Sequence, residues 1–188
     1  MKSVAVYCGS SHGNSPRFVE AAQEMGAELA RRKLRLIYGG GNVGLMGAVA
    51  DAVLAGGGEV VGVIPEQMIN REMAHVGLTS LEVVDTMAQR KTRMEELADA
   101  FICLPGGVGT LEEVVEVLTM QQLGHVDGPV GLVNVDGFWE PFMHTLQSMA
   151  ACGFVQSRYI DAIALSSDPG EILDSIAGWT PIGVKWDE

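Results

Sequence analysis

The sequence predicts an α/β fold: a single-domain, doubly wound parallel sheet of Rossmann type with helices on both faces. Three observations carry this expectation. Short, uniformly apolar runs alternate with helical patterns along the 188 residues, as in a parallel sheet covered on both sides. Three of the runs end in glycine or serine loops, at Gly9, Gly39 and Gly106, and ligands of such sheets bind beyond the carboxyl ends of the strands. At ~150 residues per domain, the length gives one domain over 1–188, with 179–188 as a C-terminal tail that holds Trp179 and Trp186.

The elements read as follows. Val4–Cys8 is the first strand, and Ser15-Pro16 is an N-cap with proline at the first helical position of a helix to about Arg32. Arg31, Arg32 and Lys33 suit the negative end of that helix's dipole. Leu34–Tyr38 is the second strand, and the helix after Gly39–Gly47 runs to about Leu54. Val60–Ile64 is the third strand, and 66–80 is irregular or briefly helical. Leu81–Val84 is a strand, Thr86–Ala98 a helix, and Ala100–Leu104 a buried strand. A helix from about Leu111 to Leu123, strand Val130–Val133, helix Trp139–Ala151, strand Ala162–Leu165 and helix Pro169–Ile176 complete the chain.

Composition narrows the function. Apolar residues make up 47%, ordinary for a globular protein. Glycine is 24 of 188, about 13% against a usual value near 7%, and it clusters in loops, where backbone can approach a ligand closely. The net charge of −12 disfavours binding to nucleic acid or to anionic membranes. No apolar run reaches the ~20 residues of a membrane span, and the start reads as a strand rather than a signal peptide. Cys8, Cys103 and Cys152 form no CxxC and read as thiols of a reducing, cytoplasmic compartment. The four histidines show no ligand spacing, so no metal is expected.

Pro105-Gly106-Gly107-Val108-Gly109-Thr110-Leu111-Glu112-Glu113 is the strongest local signal. A glycine turn between a buried strand and a helix presents N–H groups and the positive end of a dipole, a cradle for phosphate. Thr110 and Glu113 also match a capping box, S/T-x-x-E. Capping leaves three glycines in four residues unaccounted for. Arg90, Lys91 and Arg93 form the second signal: positive charge in the first turns of a helix opposes the dipole. Pairing of Lys91 with Glu95 at i,i+4 would employ the lysine but not Arg90. Gly39-Gly40-Gly41-Asn42-Val43-Gly44 is a formal GxGxxG after the second strand; alone it does not favour a dinucleotide site, and tight helix–strand packing accounts for Gly44 and Gly47. Gly9-Ser10-Ser11 is either a ligand loop or a plain connection.

The segment Gly39-Gly40-Gly41…Gly44-Leu45-Met46-Gly47, the set Met87…Arg90-Lys91 and PGGVGTLEE together resemble the Lonely Guy family, cytokinin riboside 5′-monophosphate phosphoribohydrolases long mislabelled as lysine decarboxylases. The resemblance runs from the GSS near the start to the helix after Val135. It implies a homodimer that hydrolyses the N-glycosidic bond of AMP or N6-prenylated AMP, with no cofactor. It implies Arg90 and Glu113 as the catalytic pair, and Glu72, Lys91, Gly107, Val108, Gly109, Thr110, Leu111, Glu112 and Thr119 as substrate contacts. Gly9, Ser10, Gly41 and Met87 complete the expected site. Ala88 departs from the histidine common in the family and bears on base preference. Two alternatives remain: a molybdenum-cofactor carrier with the same glycine turn, and a pyridoxal phosphate decarboxylase, for which Lys91 is the lysine near the expected site.

Overall fold

The computed structural model describes residues 1–186. Strands β1 (Ser3–Tyr7), β2 (Arg35–Tyr38), β3 (Val60–Pro65), β4 (Ser80–Val84), β5 (Ala100–Cys103), β6 (Val130–Val133) and β7 (Ala164–Ser166) form one sheet in the order β4-β3-β2-β1-β5-β6-β7. Every neighbouring pair is parallel. The helices are α1 (Pro16–Arg31), α2 (Gly44–Ala55), α3 (Met87–Leu97), α4 (Val108–Leu123), α5 (Glu140–Ala151), α6 (Ser157–Asp161) and α7 (Pro169–Ala177).

Strand periodicity divides the core. Val4 and Val6 of β1 face Met25 and Leu29 of α1, Val49 and Val53 of α2, and Leu173 of α7. Ala5 and Tyr7 face the other way, toward Met94 of α3, Val114 and Val117 of α4, and Met143 of α5. Alternate residues of one strand thus feed two cores, and both faces of the sheet are covered. The edge strand β4 is largely exposed, and Arg93 of α3 fastens to its Glu82 at 2.7 Å.

The structure moves several boundaries. Helix α4 begins at Val108, three residues before the sequence-based start, because Gly107 takes the extended N-cap conformation. Thr110 therefore lies inside the first turn, and the predicted capping box with Glu113 does not form. Helix α6 was not anticipated, since five residues are too few to display a helical period, and β7 starts at Ala164 rather than Ala162. The tail packs on the body: the Tyr159 hydroxyl donates to Gly183 O at 3.1 Å, and Lys185 N–H donates to Gln122 O at 2.9 Å. Residues 187–188 of the predicted tail lie outside the described residues. No helix among the described residues is long and apolar enough to cross a membrane.

Candidate active site

The chain leaves β1 toward one face of the sheet and β5 toward the other, so the point between these strands is the topological switch. Three loops meet there. Gly9 N–H donates to Pro105 O at 3.1 Å, and Leu45 N–H donates to Gly9 O at 3.0 Å. A methyl group on Gly106 would lie 2.2 Å from Thr110 Oγ1 and 2.9 Å from Gly9 N. Only glycine permits that approach. The loops enclose a cavity of about 350 Å³, within the size range of small-ligand sites.

One wall is the start of α4. Gly107, Val108, Gly109 and Thr110 line the cavity, and no side chain caps this helix. The first N–H groups of a helix have no intrahelical acceptor. They therefore offer donors and the positive dipole end to an anion in the cavity. Thr110 is buried with its hydroxyl over the Gly106 α-carbon.

The opposite wall carries Arg90 on α3, which is 4% exposed. A methyl on Gly39 would sit 1.6 Å from its Nη2, so the guanidinium lies directly on the glycine turn after β2. Arg90 Nη1 is 3.4 Å from Glu72 Oε2, and the sulfurs of Met87 and Met46 flank the guanidinium at 3.6 and 3.9 Å. The carboxylate paired with Arg90 is Glu72, from the chain after β3, while Glu113 feels the guanidinium through its field. Arg90 Nε has no hydrogen-bond partner among the described residues.

Glu113 is half-buried in the cavity. Burial pushes its pKa up to about 7, Arg90 pulls in the opposite direction, and Glu112 and Glu72 add to the rise. A carboxyl group poised near neutrality can exchange a proton in the course of a reaction. Its field reaches the thiols of Cys8 and Cys103, which burial raises further above the ordinary thiol value.

Lys91 does not make the anticipated i,i+4 pair with Glu95. Its Nζ bonds Glu112 and lies 2.8 Å from Glu116, tying α3 to α4. Burial lowers the pKa of Lys91, but these two carboxylates outweigh it and hold the value above the usual one. Glu95 is left beside Glu116, and burial raises its pKa. Arg93, grouped with Arg90 by sequence, points away to Glu82 and Glu96.

Gly9, Ser10, Glu72, Met87, Arg90 and Lys91 join the α4 residues Gly107 to Thr110, Glu112 and Glu113 around the cavity. Three expected residues do not line it. Leu111 faces outward, toward a surface shared with Val115, Phe138 and Phe142. Thr119 is exposed and donates its hydroxyl to Val115 O at 2.8 Å. Gly41 is covered by Glu72, whose Cβ a methyl there would approach to 3.0 Å. Ala88 is exposed and lies off the cavity wall. Gly39 and Met46, from the glycine segment after the second strand, also line the cavity, as do Val6, Tyr7, Cys8 and Met94, which were not among the expected site residues; their shared signal is position at strand ends or beside Arg90. Gly44, for which helix–strand packing was one reading, abuts the Ser10–Ser11 loop: a methyl there would lie 2.3 Å from Ser11 N.

Comparison with known proteins adds an independent line. The sequence model of a family described as "Possible lysine decarboxylase" matches residues 46–176. The chain is 43% identical over 180 residues to the rice (Oryza sativa subsp. japonica) "Probable cytokinin riboside 5′-monophosphate phosphoribohydrolase LOGL2", covering 96% of this chain and 74% of that one. It is 41% identical over 180 residues to "Cytokinin riboside 5′-monophosphate phosphoribohydrolase LOG1" of Arabidopsis thaliana, covering 96% and 84%. The chain belongs to the Lonely Guy family. Solved structures share the fold. The molybdenum cofactor binding protein of Rippkaea orientalis superposes with a TM-score of 0.71 at 21% identity, over 94% of this chain and 96% of that one. The molybdenum cofactor carrier protein of Chlamydomonas reinhardtii gives 0.73 at 17% identity, over 94% and 96%.

The decarboxylase description of the Lonely Guy family model fails a chemical test in this chain. A Schiff-base lysine needs a depressed pKa. The Nζ of Lys91 is engaged by Glu112 and Glu116, which raise its pKa, an arrangement that does not fit a Schiff-base lysine for pyridoxal phosphate.

Proposed function

We propose that this protein is a single-domain N-glycosyl hydrolase that converts AMP or N6-prenylated AMP to the free base and ribose 5-phosphate. The names of its relatives support the reaction. The observation that carries the reading is the uncapped start of α4 in the same cavity as half-buried Glu113 and buried Arg90. In this reading the 5′-phosphate accepts from the α4 N–H groups, each charged bond contributing about 1.5–3 kcal/mol. The bond from C1′ to the base nitrogen breaks through an oxocarbenium-like state. Ionised Glu113 stabilises the cationic sugar and takes a proton from the attacking water, whose oxygen bonds to C1′. The base nitrogen keeps the electron pair of the broken bond and takes up a proton from solvent, and Glu113 returns to solvent the proton it took from water, so the protons balance. Arg90 offsets the negative charge of Glu72, Glu113 and the phosphate, which would otherwise repel one another. No metal or organic cofactor takes part in this scheme.

The same reading makes the protein a cytoplasmic homodimer. Free Cys8, Cys103 and Cys152 support a reducing compartment. Val108, Leu111 and Val115 form an exposed apolar stripe on α4 beside the cavity, and Thr119 continues it at helical spacing. A second copy on that stripe would bring Leu111 and Thr119 to the site boundary.

The test is incubation with AMP, isopentenyl-AMP, GMP and CMP, with free base read by chromatography. Release of adenine or isopentenyladenine is expected. A melting temperature raised by AMP with no base released would instead favour a carrier.

A further inference from the structure

We propose that His75 is a positioning residue of this site, acting through Glu72 on Arg90. Glu72 and His75 belong to the connection between β3 and β4. That connection lies against the glycine turn after β2 through main-chain bonds: Asn42 N–H donates to Glu72 O at 2.9 Å and to Met73 O at 3.0 Å, and His75 N–H donates to Gly40 O at 2.9 Å. Arg90 lies on the other side of the same turn. The turn is thus sandwiched, with Glu72 reaching round it to Arg90.

The imidazole of His75 holds the outer layer of this sandwich. It is 8% exposed. Its Nδ1 accepts from Gly77 N–H at 3.0 Å, which puts the ring proton on Nε2. Nε2 then donates to Asp51 Oδ1 on α2 at 2.9 Å. Both nitrogens are used, one to close the chain on itself and one to anchor it to a rigid helix. Met73, between Glu72 and His75, is in the left-handed region at φ 46°, a conformation that costs a non-glycine residue energy and persists only where its surroundings hold it. Main-chain bonds from Asn42 to Met73 O and from His75 to Gly40 O bracket it, and the His75 ring fixes the following residues to α2. The Arg90–Glu72 contact is long, at 3.4 Å, so small displacements of Glu72 decide whether Arg90 keeps its carboxylate.

The kinetic part of the test rests on the hydrolase reading; the spectroscopic part does not. His75→Ala is expected to lower kcat/KM for AMP about tenfold, with most of the loss in kcat. In a Glu72→Gln background the same substitution is expected to cost less than twofold, because the link it acts through is already cut. His75→Gln keeps an N–H for Asp51 and is expected to recover most of the rate. In parallel, the Arg90 Nε–Hε resonance is followed by NMR, and His75→Ala should displace it in the same direction as Glu72→Gln. Equal losses in both backgrounds, or an Arg90 resonance unmoved by His75→Ala, would overturn the proposal. If the wild-type protein cleaves no nucleotide, the hydrolase reading falls and the Arg90 resonance alone decides the role of His75.

Discussion

Helices α3 and α4 flank one cavity, yet their first turns are completed in opposite ways. Thr86 caps α3 by accepting from Gln89 N–H at 3.2 Å, and the Gln89 side chain returns to Thr86 N–H at 3.0 Å. The start of α3 is satisfied from within, and the helix presents side chains to the cavity, Arg90 and Lys91. Helix α4 starts at Val108, after an N-cap glycine with no side chain to cap it, and presents backbone N–H groups instead. A helix start can be stable and closed or open and anion-seeking. This site pairs one of each, so that fixed cations and free N–H donors face the same space.

The largest expected effect breaks the chemistry on the α4 side. Glu113→Gln should reduce base release by about 10²–10⁴-fold, and wild-type activity should rise with pH through about 7 as the carboxyl ionises. The same change should stabilise the fold at alkaline pH. Glu113 binds its proton more tightly when folded than at its ordinary pKa of 4.5, so wild-type stability falls as pH rises from there to about 7. Glutamine removes that penalty. Thermal unfolding should show the variant more stable at pH 8 by about 3 kcal/mol, with the gap closing by pH 4. No difference at pH 8 would contradict the raised pKa.

A smaller effect separates the two helix starts directly. Val108 is the first residue of α4 and is 83% exposed. Proline is well tolerated at that position and lacks the N–H. Val108→Pro should therefore fold normally but bind AMP about ten- to a hundredfold more weakly by calorimetry. Unchanged affinity would place the phosphate elsewhere. The smallest effect lies on α3. Thr86→Ala should cost ~1 kcal/mol of stability, a fall of about 2–4 °C in Tm, with AMP affinity unaltered. Weaker binding in that variant would mean that the closed helix also serves the ligand.

Much of this contrast was written in the sequence, but partly on the wrong helix. Thr110-x-x-Glu113 has the form of a capping box, yet the box forms at Thr86-x-x-Gln89, which has the same form with glutamine. What separates them is Gly106 and Gly107, which let α4 start early and fold Thr110 inward. Of the basic cluster, Arg90 reaches the cavity wall, Lys91 joins two carboxylates of α4, and Arg93 turns to β4. Spacing alone could not sort three neighbours whose partners come from different elements.

By itself the sequence determined the alternation of apolar strands with helices, hence a parallel sheet with two covered faces, because periodicity and strand burial are local properties of the chain. It also placed the glycine loops at Gly9, Gly39 and Gly106 at the carboxyl ends of their strands. Only the tertiary structure decided the pairings: Arg90 with Glu72 across the Gly39 turn, Lys91 with Glu112 and Glu116, and His75 with Asp51. The raised pKa of Glu113 is of the same kind. Burial and electrostatic fields are sums over residues distant in the chain, and they exist only once the fold has brought those residues together.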